Sequence, residues 1–136
     1  MAEISLEEYL PRITPFTEPF WNELRSEKFT TNQCKNCGKI MFPPRMICTS
    51  CWSEQLRWVD LKGDGQLYAF TRMWVVPKPF VKDVPYVVGL VDLVEGIRLL
   101  SRIRGRYEDL DIGMKVRIVY DHINEKITLY NFEAAE

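Results

Sequence analysis

Cys34-Lys35-Asn36-Cys37-Gly38-Lys39 and, with ten residues between Cys37 and Cys48, Cys48-Thr49-Ser50-Cys51 hold all four cysteines of the chain in two C-x2-C hooks. Each hook can clamp one side of a tetrahedral ion, and two together make the closed four-thiolate shell of a structural zinc site. Gly38 follows the first hook, where the backbone must curl its amides toward the sulfurs. Pro43 and Pro44 stiffen the excursion between the hooks, and Pro44-Arg45 leads into the second. Two disulfides in a secreted domain would be the alternative, but no signal peptide precedes the motif and thiols stay reduced in the cytoplasm, the expected location. Iron also accepts four thiolates; a redox centre of that kind would not need the large second module that follows. The expectation is one structural zinc per chain, held by Cys34, Cys37, Cys48 and Cys51. A closed shell has no open coordination position, so such a metal supports the fold and activates no water. Function must lie elsewhere in the chain.

The 136 residues suffice for one ordinary domain or two small ones. Composition is globular, 46% hydrophobic and 27% charged, without repeats or low-complexity runs, and no apolar stretch approaches membrane-spanning length. Eighteen basic against nineteen acidic residues leave a net charge of −1, which counts against a free-standing nucleic-acid binder.

Three parts follow from the pattern: an N-terminal helical segment over 1–31, a zinc ribbon over 32–55, and a strand-rich domain over 56–136. Ser5-Leu-Glu-Glu8 reads as a capping box for a short first helix that Pro11 stops. A second start falls at Thr17, with Glu18 and Pro19 in the first turn. Phe16, Phe20, Trp21 and Leu24 then recur near helical spacing as one apolar face. Beyond Leu56, five strands are predicted: Leu67 to Val76, Tyr86 to Leu93, Ile97 to Arg104, Lys115 to Tyr120 and Ile127 to Phe132. Five strands without an internal helix suggest a small closed barrel. The fold class is mainly β, with an OB-fold as the expected architecture and an SH3-like barrel as the alternative, since periodicity does not reveal strand order.

The order of motifs carries a resemblance. Pro19-Phe-Trp-Asn-Glu-Leu24 precedes Gln33-Cys-x2-Cys-Gly-Lys39, Phe42-Pro-Pro-Arg45 and Cys48-x2-Cys51; Trp58-Val59, Gly63-x-Gly65, Pro85-Tyr-Val-Val88 and Ile112-Gly-Met114-x-Val116 follow. From about Pro15 to Phe132 this resembles a family of small proteins that pair a rubredoxin-like zinc ribbon with an OB-fold, long catalogued as a domain of unknown function. One departure is Trp52, directly after the second hook, where the family often has glycine. The resemblance implies an acyl-CoA setting. Members accompany thiolase-like enzymes as separate subunits or fused to hydratase-like domains. They bridge a thiolase to HMG-CoA synthase in archaea, assist retro-aldol cleavage of steroid side chains, or form the small subunit of the thiolase that cleaves benzoylsuccinyl-CoA. The expected function is therefore a zinc-containing, non-catalytic accessory subunit of a thiolase-type complex that helps to hold or guide the acyl-CoA; a nucleic-acid-binding ribbon/OB module is the alternative.

The residues agree with a non-catalytic role. All four thiols are committed to metal, so no cysteine remains as a nucleophile. His122 is the single histidine, and Asp121 beside it on a strand would point to the opposite face. Arg98, Arg102, Arg104 and Arg106 share parity, so on an extended strand they form a basic stripe, with Leu99, Ser101 and Ile103 facing the core. Arg72, Lys78 and Lys82 add charge nearby. The stripe is either a solvated face or a site for the phosphates of CoA, which arginine forks match. Tyr68, Phe70 and Trp74 share parity with Arg72, as aromatics do in OB-folds that stack single strands, though they could equally line an acyl channel or fill the core. Phe80, in the proline-rich loop 76–85, could cover a ligand. Arg72, Lys78, Phe80, Arg98, Arg102 and Arg104 are thus the candidate acyl-CoA residues. The Phe16, Phe20, Trp21 and Leu24 face is the candidate docking surface for a catalytic subunit, unless it packs on the chain's own barrel or ribbon.

Overall fold

The computed structural model describes residues 11–76, 82 and 84–135. The Ser5–Glu8 capping box, Lys78 and Phe80 lie outside the described residues. One helix, α1 (Glu18–Arg25), precedes β1 (Thr30–Cys34), β2 (Ile40–Met41), β3 (Leu56–Asp60), β4 (Asp64–Met73), β5 (Tyr86–Leu93), β6 (Arg98–Ile103), β7 (Lys115–His122) and β8 (Thr128–Ala134). The class is mainly β, as the sequence predicts.

Helix α1 starts where expected, but not by a side-chain cap from Thr17. Thr14 and Thr17 instead serve each other, the Thr14 amide donating to Thr17 Oγ1 at 2.9 Å and the Thr17 amide to Thr14 Oγ1 at 3.2 Å. The helix ends in a Schellman turn: the Glu27 amide donates to the Leu24 carbonyl and the Lys28 amide to the Glu23 carbonyl, with Glu27 in the left-handed region at φ 60°. That turn redirects the chain into β1.

Strands β2-β1-β3 form a small antiparallel sheet, the ribbon, and β4-β5-β6-β8-β7 close into a barrel. The first barrel strand pairs with both β5 and β7, and β6 runs parallel to β8 through Ile103 and Phe132. That closed five-strand order is the OB-fold and decides between the two barrels left open by the sequence. Leu56–Asp60, which the sequence reading assigned to the strand-rich domain, pairs along its whole length with β1, Thr30 opposite Asp60 and Cys34 opposite Leu56. The ribbon needs it: β1 has β2 on one edge for only two residues, and β3 covers the other edge.

A bulge in β4 matters for the site. Leu67 pairs with Val91, but Ala69 pairs with Leu90, which leaves Tyr68 as an extra residue. Beyond it Phe70 faces Gly89 and Arg72 faces Val87. Gly89 permits that packing, since a Cβ there would sit 2.8 Å from the Ala69 carbonyl oxygen and 3.0 Å from Ile103 Cγ1.

One apolar core runs through helix, ribbon stem and barrel. Leu67, Val91, Leu99, Ile103, Val116 and Phe132 fill the barrel, and Phe20, Leu24, Phe29 and Leu61 continue the same cluster outward. At the junction, Phe42 from the ribbon lies 5.9 Å from Phe20, 5.4 Å from Phe29 and 5.6 Å from Tyr130, ring centre to ring centre. Phe20 is 4% exposed and Leu24 is fully buried. These two therefore belong to the chain's own core, which corrects their expected place on a docking surface. The ribbon alone could not cover this face; the barrel, through Tyr130, supplies the rest. Phe16 and Trp21 stay half-buried at its edge, Phe16 on the Trp58 ring at 6.1 Å and Trp21 edge-on to Phe20 at 4.9 Å.

Leu24→Ala removes a fully buried side chain at this junction and is expected to destabilise the chain by about 3 kcal/mol. Denaturant unfolding followed by tryptophan fluorescence and far-ultraviolet circular dichroism checks it, with ribbon and barrel expected to melt together.

Candidate functional site

The two hooks fold as near-copies. In the first, the Gly38 amide donates to the Cys34 carbonyl at 3.0 Å and the Cys34 amide to the Lys39 carbonyl at 2.8 Å; in the second, Trp52 bonds Cys48 at 3.0 Å and Cys48 bonds Ser53 at 2.9 Å. The amides of Asn36 and Cys37 point at Cys34 Sγ, at 3.3 and 3.4 Å, and those of Ser50 and Cys51 at Cys48 Sγ, at 3.4 and 3.5 Å. Asn36 Nδ2 adds a bond to Cys51 Sγ at 3.5 Å. The turn requires a left-handed residue after each hook. Gly38 supplies it at φ 80°, whereas Trp52 takes it at φ 66°, a conformation that costs an L-residue about 1 kcal/mol. The departure at Trp52 thus leaves the second knuckle's hydrogen bonding intact.

All four sulfurs lie within 4.8 Å of one another, with Cys34–Cys51 at 3.6 Å and Cys37–Cys48 at 3.5 Å. Zn–S bonds of about 2.3 Å place tetrahedral sulfurs about 3.8 Å apart. The donor set and the cradle of amides therefore fit a structural zinc. Charge is unevenly distributed among the thiols. The Asn36 side-chain amide and then the Ser53 amide favour the Cys51 thiolate and bring it down to about 6. The Cys51 and Ser50 amides lower Cys48. The Lys39 amide also favours the Cys37 thiolate, but its contact with Cys48 and its desolvation outweigh that and push it up to about 11.

The candidate basic residues divide. Leu99, Ser101 and Ile103 face the core as expected, 5%, 6% and 3% exposed. Arg98 lies on the outer face, where Asp92 holds it through two bonds of 2.6 and 3.1 Å and its guanidinium stacks 3.5 Å from the Tyr68 ring centre. The Arg98 hydrogen bond pulls the Asp92 carboxyl below its usual range. Arg98 is thus occupied and stands apart from the rest. Arg72, Arg102 and Arg104 instead meet at one mouth of the barrel, in a cleft of about 490 Å3 that also takes in Tyr86, Arg106, Tyr107 and Glu108. Arg72 lies 4.4 Å from the Tyr107 ring centre and 5.0 Å from that of Trp74, and its Nη1 is 3.3 Å from Glu108 Oε1. Its Nε is buried and has no partner among the described residues. Arg102 stacks on Tyr86 at 4.0 Å. Four arginines face one carboxylate along this lining.

Parity on β6 brought out Arg102 and Arg104, but β6 ends at Ile103, so Arg104 and Arg106 continue along a loop. Tyr86 and Tyr107, whose faces carry Arg102 and Arg72 respectively, were missed; the only signal was their adjacency to Pro85 and Arg106. The aromatic row of β4 does not form one face. The bulge sends Tyr68 outward under Arg98 and turns Phe70 toward Tyr107, 5.5 Å away. His122 accepts or donates at Nδ1 with Thr128 Oγ1, 2.8 Å away, and Asp121 lies 4.0 Å from Arg104, so the two form no dyad. No helix among the described residues is long and apolar enough to cross a membrane.

Comparisons with known proteins follow this geometry. The family description "ChsH2, rubredoxin-like zinc ribbon domain" matches residues 21–57, and "ChsH2, C-terminal OB-fold domain" matches 58–121. A DUF35 domain-containing scaffold protein of Methanocaldococcus jannaschii is 39% identical over 95 residues, 68% of this chain and 67% of the relative. Benzoylsuccinyl-CoA thiolase subunit BbsA of Geobacter metallireducens is 33% identical over 104 residues, 74% of this chain and 69% of the relative. Among solved structures, a chain of the Ltp2-ChsH2(DUF35) aldolase superposes with a TM-score of 0.81 at 28% identity, covering 93% of this chain and 99% of that one.

Metal uptake should depend on pH with a defined sign. Zinc needs thiolates, and without metal Cys37 keeps its proton up to about pH 11, so binding near neutrality releases protons and tightens as pH rises. Below about pH 6 Cys51 is protonated as well, and affinity should fall more steeply. Chelator competition on either side of that value checks it.

Proposed function

The chain belongs to the DUF35 family of ChsH2-type zinc-ribbon/OB-fold proteins, and from that premise we propose that it is a non-catalytic subunit of a thiolase-type acyl-CoA enzyme, with one structural zinc per chain. The observation that carries this reading is the commitment of every thiol to one closed cluster. Carbon–carbon cleavage of a thiolase type needs a cysteine that accepts the acyl group, and this chain has none to spare. The metal, held by Cys34, Cys37, Cys48 and Cys51, would supply rigidity and no Lewis-acid site, because its shell is complete.

The barrel-mouth cleft gives the subunit a reason to sit beside an acyl-CoA. CoA presents phosphates at its nucleotide end and a long neutral arm to its thioester. Arg72, Arg102, Arg104 and Arg106 offer planar donors to phosphate oxygens, and the Arg72 Nε, without a partner among the described residues, is a buried donor that a ligand oxygen would satisfy. Tyr86 and Tyr107 hold two of these guanidinium groups by their faces, so little order is lost when an anion arrives. Arg98 takes no part, since Asp92 already neutralises it. The nucleic-acid alternative is weaker on the same observations: a single-strand platform needs successive exposed aromatic faces, and β4 has its Tyr68 face covered by Arg98 and its Phe70 turned inward.

Two outcomes are expected. The isolated protein turns over no acyl-CoA, while a thiolase-type subunit purified with it is more active or more stable in its presence; turnover by the contaminant-free chain overturns the reading. Arg72→Ala and Arg102→Ala each weaken CoA binding about tenfold, roughly 1.4 kcal/mol, with binding falling as salt rises, whereas Arg98→Ala changes it little. Calorimetric titration of CoA into each variant measures this.

A further inference from the structure

We propose that the outer end of the ribbon, Met46, Ile47 and Trp52, is the surface by which this chain grips its catalytic subunit. The proposal rests on the accessory-subunit reading for the identity of the partner. The apolar face of α1 spends Phe20 and Leu24 on the chain's own core and keeps only the half-buried edges of Phe16 and Trp21 for a partner, so a larger exposed apolar surface is sought elsewhere. Around the second hook three large apolar side chains stand out into solvent, Met46 at 67%, Ile47 at 40% and Trp52 at 79% exposure. They issue from a backbone that is already fixed. The Arg45 amide bonds Asn32 Oδ1 at 3.0 Å, Cys48 bonds Ser53, and Trp52 bonds Cys48. Anchors held this way lose little freedom on binding.

Trp52 is the least economical residue the fold could place there. Its position calls for glycine, as Gly38 shows in the matching knuckle, where a side chain would meet nothing within 4 Å. The indole joins no ring–ring or cation–ring contact among the described residues, and it serves neither the core nor the sulfurs. A strained, exposed tryptophan beside a methionine and an isoleucine has the composition of an interface centre.

Charge selects the occupant. Between Thr30 and Trp58 the ribbon exposes Lys35, Lys39, Arg45 and Arg57 against Glu54, in a chain whose net charge is −1. A complementary partner presents an apolar slot rimmed by carboxylates, and opposite charge at the rim would speed and orient docking. A second copy of this chain would bring the same basic rim against itself. Nucleic acid would find one stacking face, since Met46 and Ile47 have none.

The test titrates a thiolase-type subunit that binds the wild-type chain with Trp52→Gly and, separately, Met46→Ser. Trp52→Gly should bind at least tenfold more weakly while keeping its zinc and melting no earlier than wild type, because glycine relieves the left-handed turn. Met46→Ser leaves the knuckle backbone untouched and should weaken binding at least threefold; it decides the matter if Trp52→Gly disturbs the metal. Binding by the soundly folded variants within twofold of wild type overturns the proposal. A wild-type chain that binds no thiolase-type subunit overturns the accessory reading and this one with it, whereas loss confined to CoA affinity touches only the cleft. Trp52-dependent binding of single-stranded DNA, or a dimer abolished by Trp52→Gly, would replace the partner and overturn the proposal.

Discussion

The meeting of Phe20, Phe29, Phe42 and Tyr130 is the contact on which the rest of the molecule depends. Each ring comes from a different piece of chain: helix, ribbon stem, ribbon loop and last barrel strand. Edge-to-face pairs such as Phe42–Tyr130, at an interplanar angle of 82°, bury large apolar area and fix relative orientation at once. A ribbon of three short strands has almost no interior of its own, only Met41 and Leu56 beside the sulfurs. It is held at one end by metal ligands and at the other by these rings. Burial at the junction also pushes the Tyr130 hydroxyl up to about 12, so it stays neutral across the physiological range.

Much of this was legible in the sequence because its signals were local. The hooks, the helix start near Thr17, the glycine turns and all five barrel strands depend on neighbours within a few residues, and they appear within three positions of where the pattern places them. The OB topology was legible only as one of two, since strand order is a property of distant partners. The parallel Ile103–Phe132 pairing that distinguishes it spans 29 positions of sequence.

What the sequence concealed was non-local or broke a period. Leu56–Asp60 has the composition of a barrel strand, yet it completes the ribbon, because pairing partners are chosen by free edges and not by the strand's own residues. Tyr68 is a single extra residue that reverses the facing of everything after it, so a parity argument across β4 was bound to fail at that point. The apolar face of α1 looked too large for a ribbon to cover, and it was; the covering surface came from Tyr130, more than a hundred residues away. The candidate cleft shows the same division. Arg102 followed from alternation along one strand, whereas Tyr86 and Tyr107 acquire their roles only where a strand start and a loop meet.

The amides that ring the cysteine sulfurs have a consequence for chemical selectivity. Each N–H···S contact draws on a sulfur lone pair, and a bound ion takes another, so the electron density that would attack an electrophile is already engaged. The Asn36 and Ser53 amides that bring Cys51 down to about 6 also lower the intrinsic nucleophilicity of its thiolate. Wrapped by Asn36 and Ser53 and closed by metal, it becomes a spectator. A protein built this way can stand next to thioesters without exchanging with them, and its inertness there is as much a product of the fold as its shape.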